Sequence, residues 1–140
     1  MNKLNISRLM KQKKIFKNYF DKKINNKGNL FKIINKNSDN FYGFEELYKT
    51  SINKNLIKGW KKHEKKTSNL IIIRGKIKIY YSYEEVPKLD RYITISEDSN
   101  FSIIIRNNIW FAMKGLFKNN IILNLSNKLN KNAKTFNYII

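Results

Sequence analysis

Residues 56–81, Leu56-Ile-Lys-Gly-Trp-Lys-Lys-His-Glu-Lys-Lys-Thr-Ser-Asn-Leu-Ile-Ile-Ile-Arg-Gly-Lys-Ile-Lys-Ile-Tyr-Tyr81, hold both the architecture and the chemistry of this chain. Leu70 to Arg74 is a continuous apolar run suited to a buried strand, and Gly75 breaks it. Lys76 to Tyr81 alternates apolar and polar residues as a half-buried strand does. Two antiparallel neighbours are the simplest reading of the pair. Just upstream, Lys58, Lys61 and Lys62 surround Trp60 and His63, the only histidine. That cluster offers fixed positive charge, an aromatic face and one group that titrates near neutrality, a set suited to an anionic ligand with a ring.

Working outward, further strands are expected at Leu30–Ile34, Phe41–Tyr48, Tyr92–Ser96, Phe101–Ile105, Ile109–Met113 and Ile121–Leu125. Turn-forming runs separate them, such as Asn37-Ser38-Asp39-Asn40 and Glu97-Asp98-Ser99-Asn100. Many short strands at nearly regular spacing predict an all-β sandwich or barrel. The start, Met1 to about Lys23, is basic, and Leu9, Phe16 and Phe20 sit at near-helical spacing, which predicts a short amphipathic helix in an N-terminal extension. A polar tail is expected from about Ser126.

The chain has 140 residues, enough for one domain with its own core. It has no cysteine, so a disulfide framework, a thiolate metal site and a cysteine nucleophile are excluded. A cytoplasmic location is compatible with that. No apolar run is long enough to span a bilayer, and none has the form of a signal-peptide core. The formal net charge of +19 suggests a polyanion partner. Lysine, asparagine and isoleucine are enriched together along the whole chain, however, as AT-rich codons produce. Arginine occurs only at Arg8, Arg74, Arg91 and Arg106. A nucleic-acid module more often enriches arginine for its bidentate phosphate contacts, so nucleic acid is not the expected partner.

With one histidine and few carboxylates, no metal site is expected, and no cofactor. There is no glycine-rich phosphate loop and no serine in a nucleophile elbow. Glu45-Glu46 and Glu84-Glu85 read as solvated turn charge, since neighbours on a strand point to opposite faces. Trp60 and Trp110 read either as core residues or as a stacking platform.

These residues resemble the dTDP-4-dehydrorhamnose 3,5-epimerase-like sugar-nucleotide enzymes. The markers are Lys27-Gly28-Asn29 and Gly43-Phe44, then Ile57-Lys58-Gly59-Trp60-Lys61-Lys62-His63 in place of an Arg-Gly-x-His-type strand. Gly75 closes the next strand, Asn108 to Leu116 stands at a Pro-Gly-x-x-His-Gly-like turn, and Ile122-Leu123-Asn124-Leu125 completes the order. The resemblance implies a jelly-roll (cupin-type) barrel over residues 25–132, between a basic extension at 1–24 and a tail at 133–140. It implies a homodimer and a nucleotide-linked 4-keto-6-deoxy sugar as ligand, in surface-polysaccharide biosynthesis. The implied chemistry is proton removal beside the keto group and return of a proton, which requires a base, a donor and cations that hold the enolate.

By that resemblance His63 and Lys61 are the catalytic candidates, and Lys58, Trp60, Asn69 and Trp110 the substrate-binding ones. Lys58 replaces the phosphate-binding arginine and Lys61 falls at the base position. The second motif histidine falls on Phe111, the acid tyrosine near Leu129, and the lysine before the next strand near Ser68 or Asn69. These departures leave three expectations: an epimerase or isomerase, a non-catalytic nucleotide-sugar or glycan binder, and a lysine-rich polyanion binder.

Overall fold

The computed structural model describes residues 14–131 and 133–137. Twelve strands follow in order: β1 (Ile15–Tyr19), β2 (Asp21–Asn25), β3 (Gly28–Lys32), β4 (Glu46–Asn53), β5 (Ile57–Lys62), β6 (Ser68–Arg74), β7 (Lys76–Ser82), β8 (Tyr92–Ser96), β9 (Phe101–Ile105), β10 (Trp110–Gly115), β11 (Asn119–Ser126) and β12 (Lys134–Phe136). Two five-stranded sheets, ordered β1-β9-β6-β11-β4 and β12-β5-β10-β7-β8, face one another, and β2-β3 forms a separate hairpin. The strand-to-strand pairings are antiparallel, which makes this the all-β jelly roll that the sequence implies.

Strand parity decides what lies between the sheets. Ile77 and Ile79 of β7, Ile103 and Ile105 of β9, Leu70 and Ile72 of β6 and Ile122 of β11 form one buried cluster with Ile95 and Ile109. Burying each such side chain contributes about 1.5–3 kcal/mol, so isoleucine-rich strands supply this core without disulfides. Three of its members, Leu70, Phe111 and Ile122, also border the inner cavity described below.

β6 and β7 do not pair with each other, contrary to the simplest reading of the sequence; they lie in opposite sheets. The reason is the corner between them. Gly75 has φ +87°, and a side chain there would run into the Asn119 carbonyl and the Asn120 side chain. Asn120 fastens this corner: its Oδ1 accepts from the N–H groups of Lys76 and Phe117, and its Nδ2 donates to the carbonyls of Ile52 and Phe117.

The chain ends also differ from expectation. Where Phe16 and Phe20 suggested a helix, residues 15–19 form β1, held on the sheet edge by β9; Leu9 and the rest of residues 1–13 lie outside the described part. The expected strand at Phe41–Tyr48 begins later, as β4, because Gly43 at φ +106° ends a loop whose Tyr42 carbonyl accepts from Asn127 Nδ2. The expected strand at Leu30–Ile34 is β3 of the hairpin. Beyond Ser126, the polar tail contributes β12, which pairs with β5. No helix among the described residues is long and apolar enough to cross a membrane.

Candidate functional site

β5 carries the site through a break in its alternation. Lys61 lies opposite Phe111 of β10 and Lys58 opposite Met113, so three steps on β5 match two on β10. The extra residue at Gly59-Trp60 is a β-bulge, which re-aims the side chains that follow it. Lys58 and Lys61, at odd spacing, therefore both line the inner cavity, while Trp60 turns to the outside of the sheet. Past the end of β5, His63 joins them. Its carbonyl accepts the Asn108 N–H at 2.7 Å, and its ring lies 6.2 Å from that of Phe111.

Two connected features surround His63, which lines both. An inner cavity of about 190 Å³ is bounded by Lys58, Lys61, Tyr48, Thr50, Phe111 and Asn124, among others. A wider mouth of about 450 Å³ is bounded by Glu45, Glu64, Lys65, Lys66, Lys128 and Lys131. The mouth is within the range of roughly 300–1,000 Å³ usual for small-molecule sites. Both of its carboxylates are paired: Glu45 lies 3.7 Å from Lys128 of the mouth, and Glu64 lies 2.7 Å from Lys134. Lysine still outnumbers carboxylate around the opening.

His63 is only 7% exposed. Burial, aided by repulsion from Lys66 and Lys61, pushes its imidazole down to about 4. The ring is therefore neutral at physiological pH and keeps a lone pair, the form a general base requires.

The opposite wall is polar and was not singled out by the sequence. Lys66, 4% exposed, donates through Nζ to the Tyr48 hydroxyl at 3.0 Å and to Asn130 Oδ1 at 3.1 Å. Asn124 Nδ2 donates to the same Tyr48 oxygen at 2.8 Å. Burial pushes the Lys66 amine down to about 8, the nearby Glu46 opposing and Lys61 reinforcing the shift. Burial and Glu46 push the Tyr48 phenol up, against the hydrogen bond from Asn124. Glu46, read from sequence as turn charge, accepts the Asn130 N–H and so belongs to this wall.

Of the residues expected at the site, Lys58, Lys61 and His63 are brought together. Trp60, Trp110 and Asn69 are not. Both tryptophans belong to a second apolar cluster with Ala112, Tyr80 and Phe136 on the outer face of the β5-β10-β7 sheet, and Trp110 Nε1 donates to the Glu85 carbonyl. Asn69 points out of the barrel, because its β6 neighbours Ser68 and Leu70 take the inward parity. It borders a small cavity under the Tyr42 loop with Ile104 and Asn127. Leu129 stands at the mouth. Among the described residues no group of three or more histidine, cysteine or carboxylate side chains converges as a metal centre would require.

No protein-family model and no curated protein sequence matches the chain. Solved structures do. A dTDP sugar isomerase from Desulfovibrio desulfuricans superposes with a TM-score of 0.71 at 15% identity, over 87% of this chain and 83% of that one. A mutant of the 3,4-ketoisomerase QdtA from Thermoanaerobacterium thermosaccharolyticum, in complex with TDP-4-keto-6-deoxyglucose, gives 0.70 at 20% identity over 84% and 82%. The rmlC epimerase of Mycobacterium tuberculosis gives 0.74 at 9% identity over 86% and 68%. At these identities the likeness establishes a common fold, and the chemistry must be argued from the site.

Proposed function

We propose that this chain is a divergent sugar-nucleotide isomerase or epimerase, acting on a nucleotide-linked 4-keto-6-deoxy sugar by removing and returning a proton. The observation that carries the reading is the convergence of a neutral, buried His63 with Lys58 and Lys61 on one cavity wall, under a lysine-rich mouth. The TDP-4-keto-6-deoxyglucose bound by the structurally similar ketoisomerase supports the choice of ligand class.

In this reading the diphosphate spans the junction of the two, held by the mouth lysines and by Lys58 on the cavity wall, and the keto sugar reaches the inner cavity. His63 removes the proton on the carbon beside the keto group. Lys61 supplies positive charge for the enolate oxygen that forms. A base held at about 4 is weak; burial is the larger cause, and negative phosphate charge offsets the remaining part, the repulsion from Lys66 and Lys61. Binding therefore strengthens the base. We further place the protein in the cytoplasm, as a homodimer of single-domain chains, in surface-polysaccharide biosynthesis.

The test is to incubate the purified protein with dTDP-4-keto-6-deoxyglucose in deuterated water and follow the sugar by NMR. Deuterium entering C3 or C5 is expected, with or without net conversion. Binding without any exchange would replace this reading with that of a non-catalytic nucleotide-sugar binder. Failure to bind would remove the site assignment altogether.

A further inference from the structure

Two hydrogen bonds to one phenol oxygen define a direction of proton flow. A tyrosine oxygen has two lone pairs and one O–H. In Tyr48 both lone pairs are engaged, one by Lys66 Nζ at 3.0 Å and one by Asn124 Nδ2 at 2.8 Å. Its hydrogen is thereby left to donate, and Tyr48 lines the inner cavity opposite Lys58 and Lys61. Lys66 is similarly constrained. An ammonium has three donors, and two are committed to Tyr48 and Asn130. That leaves one donor, and Lys66 lines the mouth together with His63. Asn124 adds an independent sign of a ligand: it is 5% exposed, it borders the cavity, and its buried Oδ1 has no hydrogen-bond partner among the described residues. An acceptor so placed fits a sugar hydroxyl, since a buried unpaired oxygen costs about 1–3 kcal/mol until a donor arrives.

We propose that Tyr48 is the proton donor of the reaction and that Lys66 is its proton source, a two-residue relay from the mouth to the sugar. The inference rests on the proposed function and supplies the donor that it lacks. The steps balance. His63 takes a proton from the sugar carbon, leaving the enolate. Tyr48 O–H gives its proton to the enolate, and the phenolate takes one from the Lys66 ammonium. Lys66 then takes a proton from water at the mouth, and His63 returns its own to solvent, so no net proton is consumed. The order of acidities suits the transfer: burial raises the phenol and lowers the amine, so a proton moves readily from Lys66 to a Tyr48 phenolate. The base and the donor stand on different elements, β4 for Tyr48 and the segment after β5 for His63, so they can address different positions of the sugar.

The charged and titratable groups around Lys66 are Glu46 and Tyr48 from β4, Lys61 from β5, His63, Glu64 and Lys65 on its own segment, and Glu45, Lys128 and Lys131 across the mouth. Lys66 is held down to about 8, so an alkaline limb in kcat/KM near that pH is its signature.

The experiment uses dTDP-4-keto-6-deoxyglucose in deuterated water with wild type, Tyr48→Phe, Lys66→Met and Lys66→Arg, each checked for folding by circular dichroism. A protein with a base but no donor abstracts the proton and returns deuterium to the same carbon. Tyr48→Phe is therefore expected to retain exchange while net conversion falls by about a hundredfold or more, and Lys66→Met, which also removes a charge that lowers His63, is expected to exchange at least as fast as wild type while conversion falls likewise. Lys66→Arg keeps the charge but cannot give up a proton, so it should bind normally, convert poorly and lose the alkaline limb. Equal loss of exchange and conversion in Tyr48→Phe and Lys66→Met would overturn the relay, as would full conversion by either. Absence of exchange in wild type would instead remove the proposed function beneath it.

Discussion

His63 offers a sharp test, because as the sole histidine it gives one resolvable imidazole signal. Its burial and the neighbouring Lys66 and Lys61 take it from the ordinary 6.5 to about 4. At about 1.4 kcal/mol per unit, the difference corresponds to an upper limit of about 3.4 kcal/mol of stability. The ring borders two solvent-connected cavities, which soften the desolvation, so we expect about 2–3 kcal/mol. The sign follows from linkage. A folded value below the unfolded one means that the unfolded chain binds more protons between pH 4 and 6.5. The contribution is complete above pH 6.5 and is lost as pH falls through that window. Carboxylates titrate there too, so the measurement is a difference: urea denaturation at pH 7 and pH 4.5, wild type against His63→Gln. At most about 2.4 kcal/mol of the limit falls between those two pH values, so wild type should lose about 2 kcal/mol more than the variant. Proton NMR of the imidazole should show a midpoint well below 6, moving upward when dTDP is added. A midpoint at or above 6, or equal acid losses in both proteins, would refute the reasoning.

Two further outcomes are expected. Asn120→Ala removes four hydrogen bonds at the corner and leaves buried backbone groups unpaired, so urea denaturation should show a loss of about 3–5 kcal/mol; a loss under about 1 kcal/mol would mean that Asn120 does not fasten the corner. Lys58→Ala should weaken dTDP binding measured by calorimetry with little change in exchange at saturating sugar nucleotide, whereas Lys61→Ala should slow exchange more than it weakens binding; the reverse pattern would exchange their roles.

How much of this was legible in the sequence depended on whether the information was local. Alternation at Lys76–Tyr81 correctly gives β7 with Ile77 and Ile79 inside, because parity is a property of one strand. The partners of β6 and β7 are not local. A glycine between two strands reads as a hairpin turn, yet here it is the corner at which the chain changes sheets, and the contacts that impose this come from Asn119 and Asn120, far along the chain. Phe16 and Phe20 misled for a similar reason: the pairing of residues 15–19 with β9 outweighs a helical spacing that has no face to bury.

For the site, strict alternation puts Lys58 and Lys61 on opposite faces, so periodicity alone argues against the cluster. The bulge at Gly59-Trp60 reconciles them; their joint role was suggested beforehand by the local clustering of charge around Trp60 and His63 and by the family resemblance. Lys66 was harder still. It ends a run, Lys61-Lys62-His63-Glu64-Lys65-Lys66, in which nothing chemical distinguishes one lysine from another. The fold makes the distinction: Lys62 lies 5.2 Å over the Trp110 ring on the outer face, Lys65 is exposed at the mouth, and Lys66 is buried against Tyr48. Compositional bias can therefore account for the number of lysines without accounting for the position of this one. Burying an ammonium beside a phenol is costly even with the charge of Glu46 and acceptors on Tyr48 and Asn130 to favour it, and a chain selected for stability alone would more readily leave Lys66 in water. The cost is intelligible if the amine must give up a proton near neutral pH, a property that the solvated lysines of this surface do not offer.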